Sequence, residues 1–194
     1  TIDYRVGVFG FLAHPALTGE SGTKSAGNYG LLDQIAALKW VRKNAARFGG
    51  DAGNVTVSGE SAGAASVNDL QVSPLAKGLF QKGISFSGAT MAVDLPSLES
   101  GERVGMDLAA KLGASDLKAL RDVSADRLVD ATRYVPGESS GPPRLVYVPH
   151  LDGHVVPADP DSPTAPRISR APRHGRVRCR QPARSASGDR PRHR

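Results

Sequence analysis

The sequence has a single cysteine, Cys179, so no intrachain disulfide can close a loop and stability must come from packing. It has no apolar run of membrane-spanning length, which argues against a helical membrane span, and no secretory leader pattern. The chain opens at Thr1 without an initiator methionine and inside what reads as a strand, so the true N-terminus is expected upstream and no compartment is excluded. Aromatic residues make up 5% of the whole, and residues 160–194 contain none. That last stretch also lacks lysine, carries ten Arg against two Asp, and holds six of the 14 prolines but only two aliphatic β-branched residues. Its formal charge is +8, against −2 for residues 1–159, so the basic pI belongs to the end of the chain. Such a segment buries too little apolar surface to offset chain entropy, and disorder is expected there. Without aromatics it has nothing on which to stack bases. Arginine charge alone gives salt-sensitive attraction to phosphates, so no specific nucleic-acid partner is expected.

Two pentapeptides fit the pattern G-x-S-x-G: GESAG at residues 59–63 and GESSG at residues 137–141. With this glycine and serine content, about one shuffled chain in five would hold a chance match, so context has to decide. A nucleophile elbow needs a strand to deliver the serine, a strained turn to expose its hydroxyl and a helix whose first N–H groups face the reacting carbonyl. Around Ser61 the β-branched run Asn54–Ser58 reads as the strand and Ala62–Gln71 as the helix. Gly59 and Gly63 stand where a Cβ is expected to collide as strand and helix fold back. Ser139 has Pro136 before its motif and Pro142 and Pro143 behind it, which reads as a surface loop.

The rest of the chain places this elbow in an alternating α/β order. Ile2–Leu12 is β-rich and mostly apolar, as a strand buried on both faces would be. After a Gly-rich loop, Leu31, Ile35, Leu38, Val41, Ala45 and Phe48 recur at helical spacing, ended by Gly49 and Gly50 and capped at the start by Asn28. Gly83–Ser87 reads as another strand. Right-handed crossovers make such strands parallel and bring Ser61 and Ser87 out at their carboxyl ends, where ligands bind in open sheets. Ser100, Ser115 and Ser124 then stand as caps for helices over Glu102–Leu112, Asp116–Arg121 and Ala125–Tyr134, a helical insertion over the sheet. Leu145–Pro160 returns to extended chain.

YRVGVFGFL from Tyr4, GNYGLLDQIAALKWVRKNAARFGGDAGNVTVSGESAGAASV from Gly27, KGLFQKGISFSGA from Lys77 and LDGHVVPADP from Leu151, in this order, closely resemble the type-B carboxylesterases, especially their bacterial members. The resemblance covers residues 1–160 and implies a partial α/β-hydrolase fold, a mostly parallel sheet with flanking helices and a helical insertion. It implies a serine carboxylic-ester hydrolase acting on small-molecule esters without a cofactor, with Ser61 as the nucleophile that forms an acyl-enzyme and the Ala62 N–H as an oxyanion-hole donor. By the same resemblance Glu60 matches the acidic residue the family often has beside its serine. Ser87 matches a serine that supports the triad from the neighbouring strand end, and Arg5 with Asp33 matches an ion pair tying the first strand to the first helix.

The chain departs from the family pattern in three places. The glycine-rich oxyanion loop is expected upstream of residue 1, and the triad acid and histidine are expected beyond the point where residues 161–194 turn Arg/Pro-rich. An abrupt, lysine-free change of composition near Ser162 is what a reading frame shifted in a GC-rich gene would give. The expectation is therefore a carboxylesterase domain over 1–160, incomplete in this chain, followed by an out-of-frame or disordered segment over 161–194. His14, His150 and His154 sit in loops and read as surface or structural residues, while His174 and His193 have no scaffold to hold a base against Ser61. No metal-ligand spacing links the histidines to Cys179. The alternative to an ester hydrolase is a catalytically silent binding module or relic of the same family.

Overall fold

The computed structural model describes residues 1–88, 95–133 and 146–160. The GESSG copy with Ser139, and the basic stretch with His174, Cys179 and His193, lie outside these residues. Among the described residues nine α-helices and strands follow one another: α1 (Gly7–Phe11), α2 (Pro15–Glu20), α3 (Tyr29–Asn44), β1 (Thr56–Glu60), α4 (Ala62–Val72), β2 (Lys82–Phe86), α5 (Leu98–Leu112), α6 (Leu117–Arg121) and α7 (Ala125–Thr132). β1 and β2 pair in parallel, with Thr56 opposite Lys82 and Glu60 opposite Phe86, and α4 is the crossover between them.

The core forms where helical and strand periodicities point the same way. Leu31 and Ile35 of α3 meet Leu70 and Val72 of α4, with Leu79, Phe80, Val155 and Val156 closing the cluster. Inside the α3–α4 contact, buried Gln34 donates from Nε2 to Ser66 Oγ at 3.2 Å, which satisfies both polar side chains without water. One sheet face receives α4: a Cβ at Gly83 would lie 3.1 Å from the Val67 side chain, and Ser85 Oγ donates to the Ala64 carbonyl at 3.3 Å. The other face carries Ile84 and Phe86, 45% and 56% exposed.

The segment read as a first strand is not one. Thr1–Val6 has no regular structure and Gly7–Phe11 is helical, with Ile2, Val6 and Phe9 exposed rather than buried. A strand needs a ladder partner, and among the described residues β1 and β2 pair only with each other. The backbone finds other partners: the Arg5 N–H donates to Asp33 Oδ2 at 3.0 Å, and the Gly10 N–H donates to the Val6 carbonyl. The Arg5 side chain also grips Asp33, Nε to Oδ2 at 2.8 Å and one terminal nitrogen to Oδ1 at 2.7 Å. That hydrogen bond, against a smaller opposing effect of burial, holds the Asp33 carboxyl below its ordinary pKa. The pair thus ties an irregular segment, not a strand, to α3.

Other boundaries shift for local reasons. α3 starts at Asn28 as expected, but the Asn28 side chain makes no capping bond. Instead its Nδ2 donates to the His150 carbonyl at 2.9 Å and its Oδ1 accepts the His150 N–H at 3.0 Å, a clasp across 122 residues. Ser97 rather than Ser100 caps α5, and Asp116 rather than Ser115 caps α6, while Ser124 caps α7. α5 leans on the N-terminal segment, with Gly105 against the Ala13 carbonyl, and Arg121 pairs with Glu20. Residues 146–160 form no strand; Leu151 makes one bridge to Ser97, and Asp152 Oδ1 accepts from the N–H groups of His154, Val155 and Val156 at 2.9–3.0 Å.

Candidate active site

β1 ends at Glu60, and the chain reverses at Ser61 with φ 52° and ψ −117°. An L-residue in this glycine-favouring region costs about 1–3 kcal/mol and persists only where its surroundings hold it. Three contacts do so. The Ser61 N–H donates to the Phe86 carbonyl at 2.9 Å, and the Ser61 carbonyl accepts from Ala64 N at 3.0 Å and Ala65 N at 3.1 Å, so it serves as the first acceptor of α4. At Gly59 a Cβ would overlap the Gly63 carbonyl and lie 2.8 Å from Ala64 N, so strand and helix cross too closely for any side chain. Gly63 differs from expectation: a Cβ there would meet nothing within 4 Å, because that position faces open space.

The elbow leaves Ser61 exposed, and although Ser61 is the N-cap of α4, its hydroxyl makes no capping bond. Ala62, also exposed, is the first residue of the helix, where an N–H has no intrahelical acceptor and sits at the positive end of the helix dipole. An exposed hydroxyl and a helix-N-terminal N–H thus share one turn, an arrangement of the kind acyl transfer uses. Glu60 is exposed on β1, and no hydrogen bond joins its carboxylate to another described residue. Ser87 lies just past β2 with φ 55°, also exposed. The structure brings Ser61, Ala62, Glu60 and Ser87 to the same end of the two parallel strands, while Arg5 and Asp33 stand apart at the head of α3.

None of the described histidines hydrogen-bonds Ser61. His14 Nδ1 accepts from Ala16 N at 3.1 Å and caps α2. His154 lies in the turn organised by Asp152. His150, expected as a surface or structural loop residue, is 1% exposed, its ring set between Gly27 and Gly101. Burial lowers its pKa below the ordinary histidine value, with the Gly27 backbone and the Asp152 charge opposing more weakly. Among the described residues no group of three or more His, Cys, Asp or Glu could hold a metal ion, and no helix is long and apolar enough to cross a membrane. Sequence reading missed the Gly88 turn, which packs on the Ser61 carbonyl; a glycine directly after a strand-end serine was the one available signal.

The pattern of the carboxylesterase family matches residues 1–171. Fumonisin B1 esterase of Sphingopyxis macrogoltabida is 40% identical over 159 residues, covering 80% of this chain and 28% of that protein. Para-nitrobenzyl esterase of Bacillus subtilis (strain 168) is 40% identical over 166 residues, covering 85% of this chain and 33% of that protein. The crystal structure of a Geobacillus stearothermophilus carboxylesterase superposes with a TM-score of 0.68 at 39% identity, over 82% of this chain and 33% of that one. The chain thus spans about a third of the length of the relatives it matches.

Proposed function

This chain belongs to the carboxylesterase family, and from that premise we propose that it carries the nucleophile of a serine carboxylic-ester hydrolase acting on small-molecule esters. Ser61 Oγ attacks the ester carbonyl carbon and gives up its proton to a base. The Ala62 N–H stabilises the oxyanion, the alcohol departs with a proton, and water hydrolyses the acyl-Ser61 ester to the acid. The observation that carries this reading is the strained, exposed Ser61 (φ 52°), whose hydroxyl is not spent on capping the helix it precedes.

None of the described histidines hydrogen-bonds Ser61, so the test supplies a base from a relative. Residues 1–160 are grafted in place of the matching segment of Bacillus subtilis para-nitrobenzyl esterase. The graft is expected to hydrolyse p-nitrophenyl acetate, and Ser61→Ala in it to lower kcat by at least about a thousandfold. Equal rates for the two, or a folded graft without activity, would contradict the proposal.

A further inference from the structure

Among the described residues, Ser61 and Ser87 are two of the three non-glycine residues with positive φ, at 52° and 55°, and they directly follow the two neighbouring parallel strands. The Ser61 backbone touches the residues on either side of Ser87. The Ser61 N–H donates to the Phe86 carbonyl at 2.9 Å, and a Cβ at Gly88 would overlap the Ser61 carbonyl oxygen, approach its carbon to 3.0 Å and the Ala64 side chain to 2.9 Å. The Ser61 peptide is therefore gripped at its N–H by the last residue of β2 and at its carbonyl by the turn that follows. Ser87 in the left-handed region swings Gly88 into that position, and only a residue without a side chain fits it.

We propose that Gly88 is a positioning residue for the elbow: the turn Phe86–Ser87–Gly88 is a stop that holds the Ser61 carbonyl, and through it the rotation about Ser61 that aims Oγ and the Ala62 N–H. This rests on the reading of Ser61 as nucleophile but concerns a contact outside the GESAG motif, 25 residues beyond its last glycine. It assigns the backbone of Ser87 the supporting part; the Ser87 hydroxyl itself has no hydrogen-bond partner among the described residues.

The test compares the full chain with its Gly88→Ala and Ser87→Gly variants by NMR. The three-bond HN–Hα coupling of Ser61, read together with its strong intraresidue HN–Hα NOE, reports a positive φ, and amide exchange at Ser61 reports the bond to Phe86. Gly88→Ala is expected to shift the coupling and weaken that NOE, and to speed Ser61 exchange about tenfold or more relative to Ile84 in the same strand pair. Ser87→Gly, which keeps the contact and removes the strain, is expected to leave both readouts as they are. In the esterase graft, Gly88→Ala is expected to lower kcat about a hundredfold with KM within about twofold, the signature of a misaimed reacting group. An unchanged coupling and exchange rate in folded Gly88→Ala would overturn the proposal. Should that variant fail to fold, adding Ser61→Gly, which lets the carbonyl move without strain, is expected to restore folding; a double variant that stays unfolded would place the clash elsewhere and overturn it too. An inactive graft alongside the expected NMR changes would sink the nucleophile reading and leave the contact standing.

Discussion

Ser61→Gly is expected to raise the stability of the chain by about 1 kcal/mol, or about 2–4 °C in Tm for a protein of this size, while removing all covalent reactivity at position 61. At φ 52° and ψ −117° glycine is unstrained, so the substitution recovers the cost of about 1–3 kcal/mol that an L-residue bears there. Against this stands the extra freedom glycine gives the unfolded chain, roughly 0.5–1 kcal/mol. No side-chain hydrogen bond is lost, because the hydroxyl makes none as a cap. A thermal melt beside the parent chain checks the sign. A drop of 1 kcal/mol or more would mean that the Ser61 side chain supports the fold, and the case for strain held in reserve for chemistry would weaken.

The second large effect lies at the joint between the helical segment and the body. His150 is packed from two sides by glycines: a Cβ at Gly101 would overlap the imidazole at Nε2 and Cδ2, while one at Gly27 would lie 2.9 Å from Nδ1. The ring cannot swing away, because the His150 backbone is held at both ends by Asn28. Gly101→Ala is therefore expected to cost about 3 kcal/mol, the upper range for overpacking a filled core. The same burial makes the joint sensitive to acid. With the folded pKa lowered below the ordinary value of about 6.5, the unfolded chain takes up the proton first. Stability is complete above pH of about 6.5 and declines as pH falls from there toward the folded value. Around the ring, Asp152 is the charged group that opposes the shift, and Asn28 and the two glycines add no charge. Melts between pH 8 and 5 are expected to show this decline in the parent chain and a shallower one in His150→Gln; parallel curves would remove His150 as the cause.

These two sites show what could be read in the sequence. The elbow was legible because it is local: a β-branched run, a glycine two residues before the serine and a small-residue helix after it lie within twenty residues. The α3 helix was legible for the same reason, although it ends at Asn44 and a 3-10 turn over Ala45–Phe48 carries the chain on to Gly49, where φ is 75°. The α/β alternation around Ser61 therefore follows from short-range pattern alone. Ile2–Leu12 misled because its apolar, β-branched composition suits a buried strand, whereas its structure depends on a ladder partner and on Asp33, 28 residues away from Arg5. Asn28 misled in the opposite way: its position at the helix start was right, but its side chain serves His150 across 122 residues. Gly63 shows that a motif glycine and a close contact are different things, since Gly59 carries the crossing and Gly63 faces open space. Gly101 acts only through residues distant in sequence, so no local pattern could single it out, and for Gly88 a glycine after a strand-end serine was the one local signal.

Labelling of the proposed nucleophile, Ser61, of this carboxylesterase-family chain decides between the two readings of the elbow. The esterase graft carrying residues 1–160 is treated with a fluorophosphonate, and the adduct is located by peptide mass spectrometry in the parent and in Ser61→Ala. One phosphonyl group per chain is expected, on Ser61, and none in the variant. An adduct on another serine, or the same yield in Ser61→Ala, would contradict it.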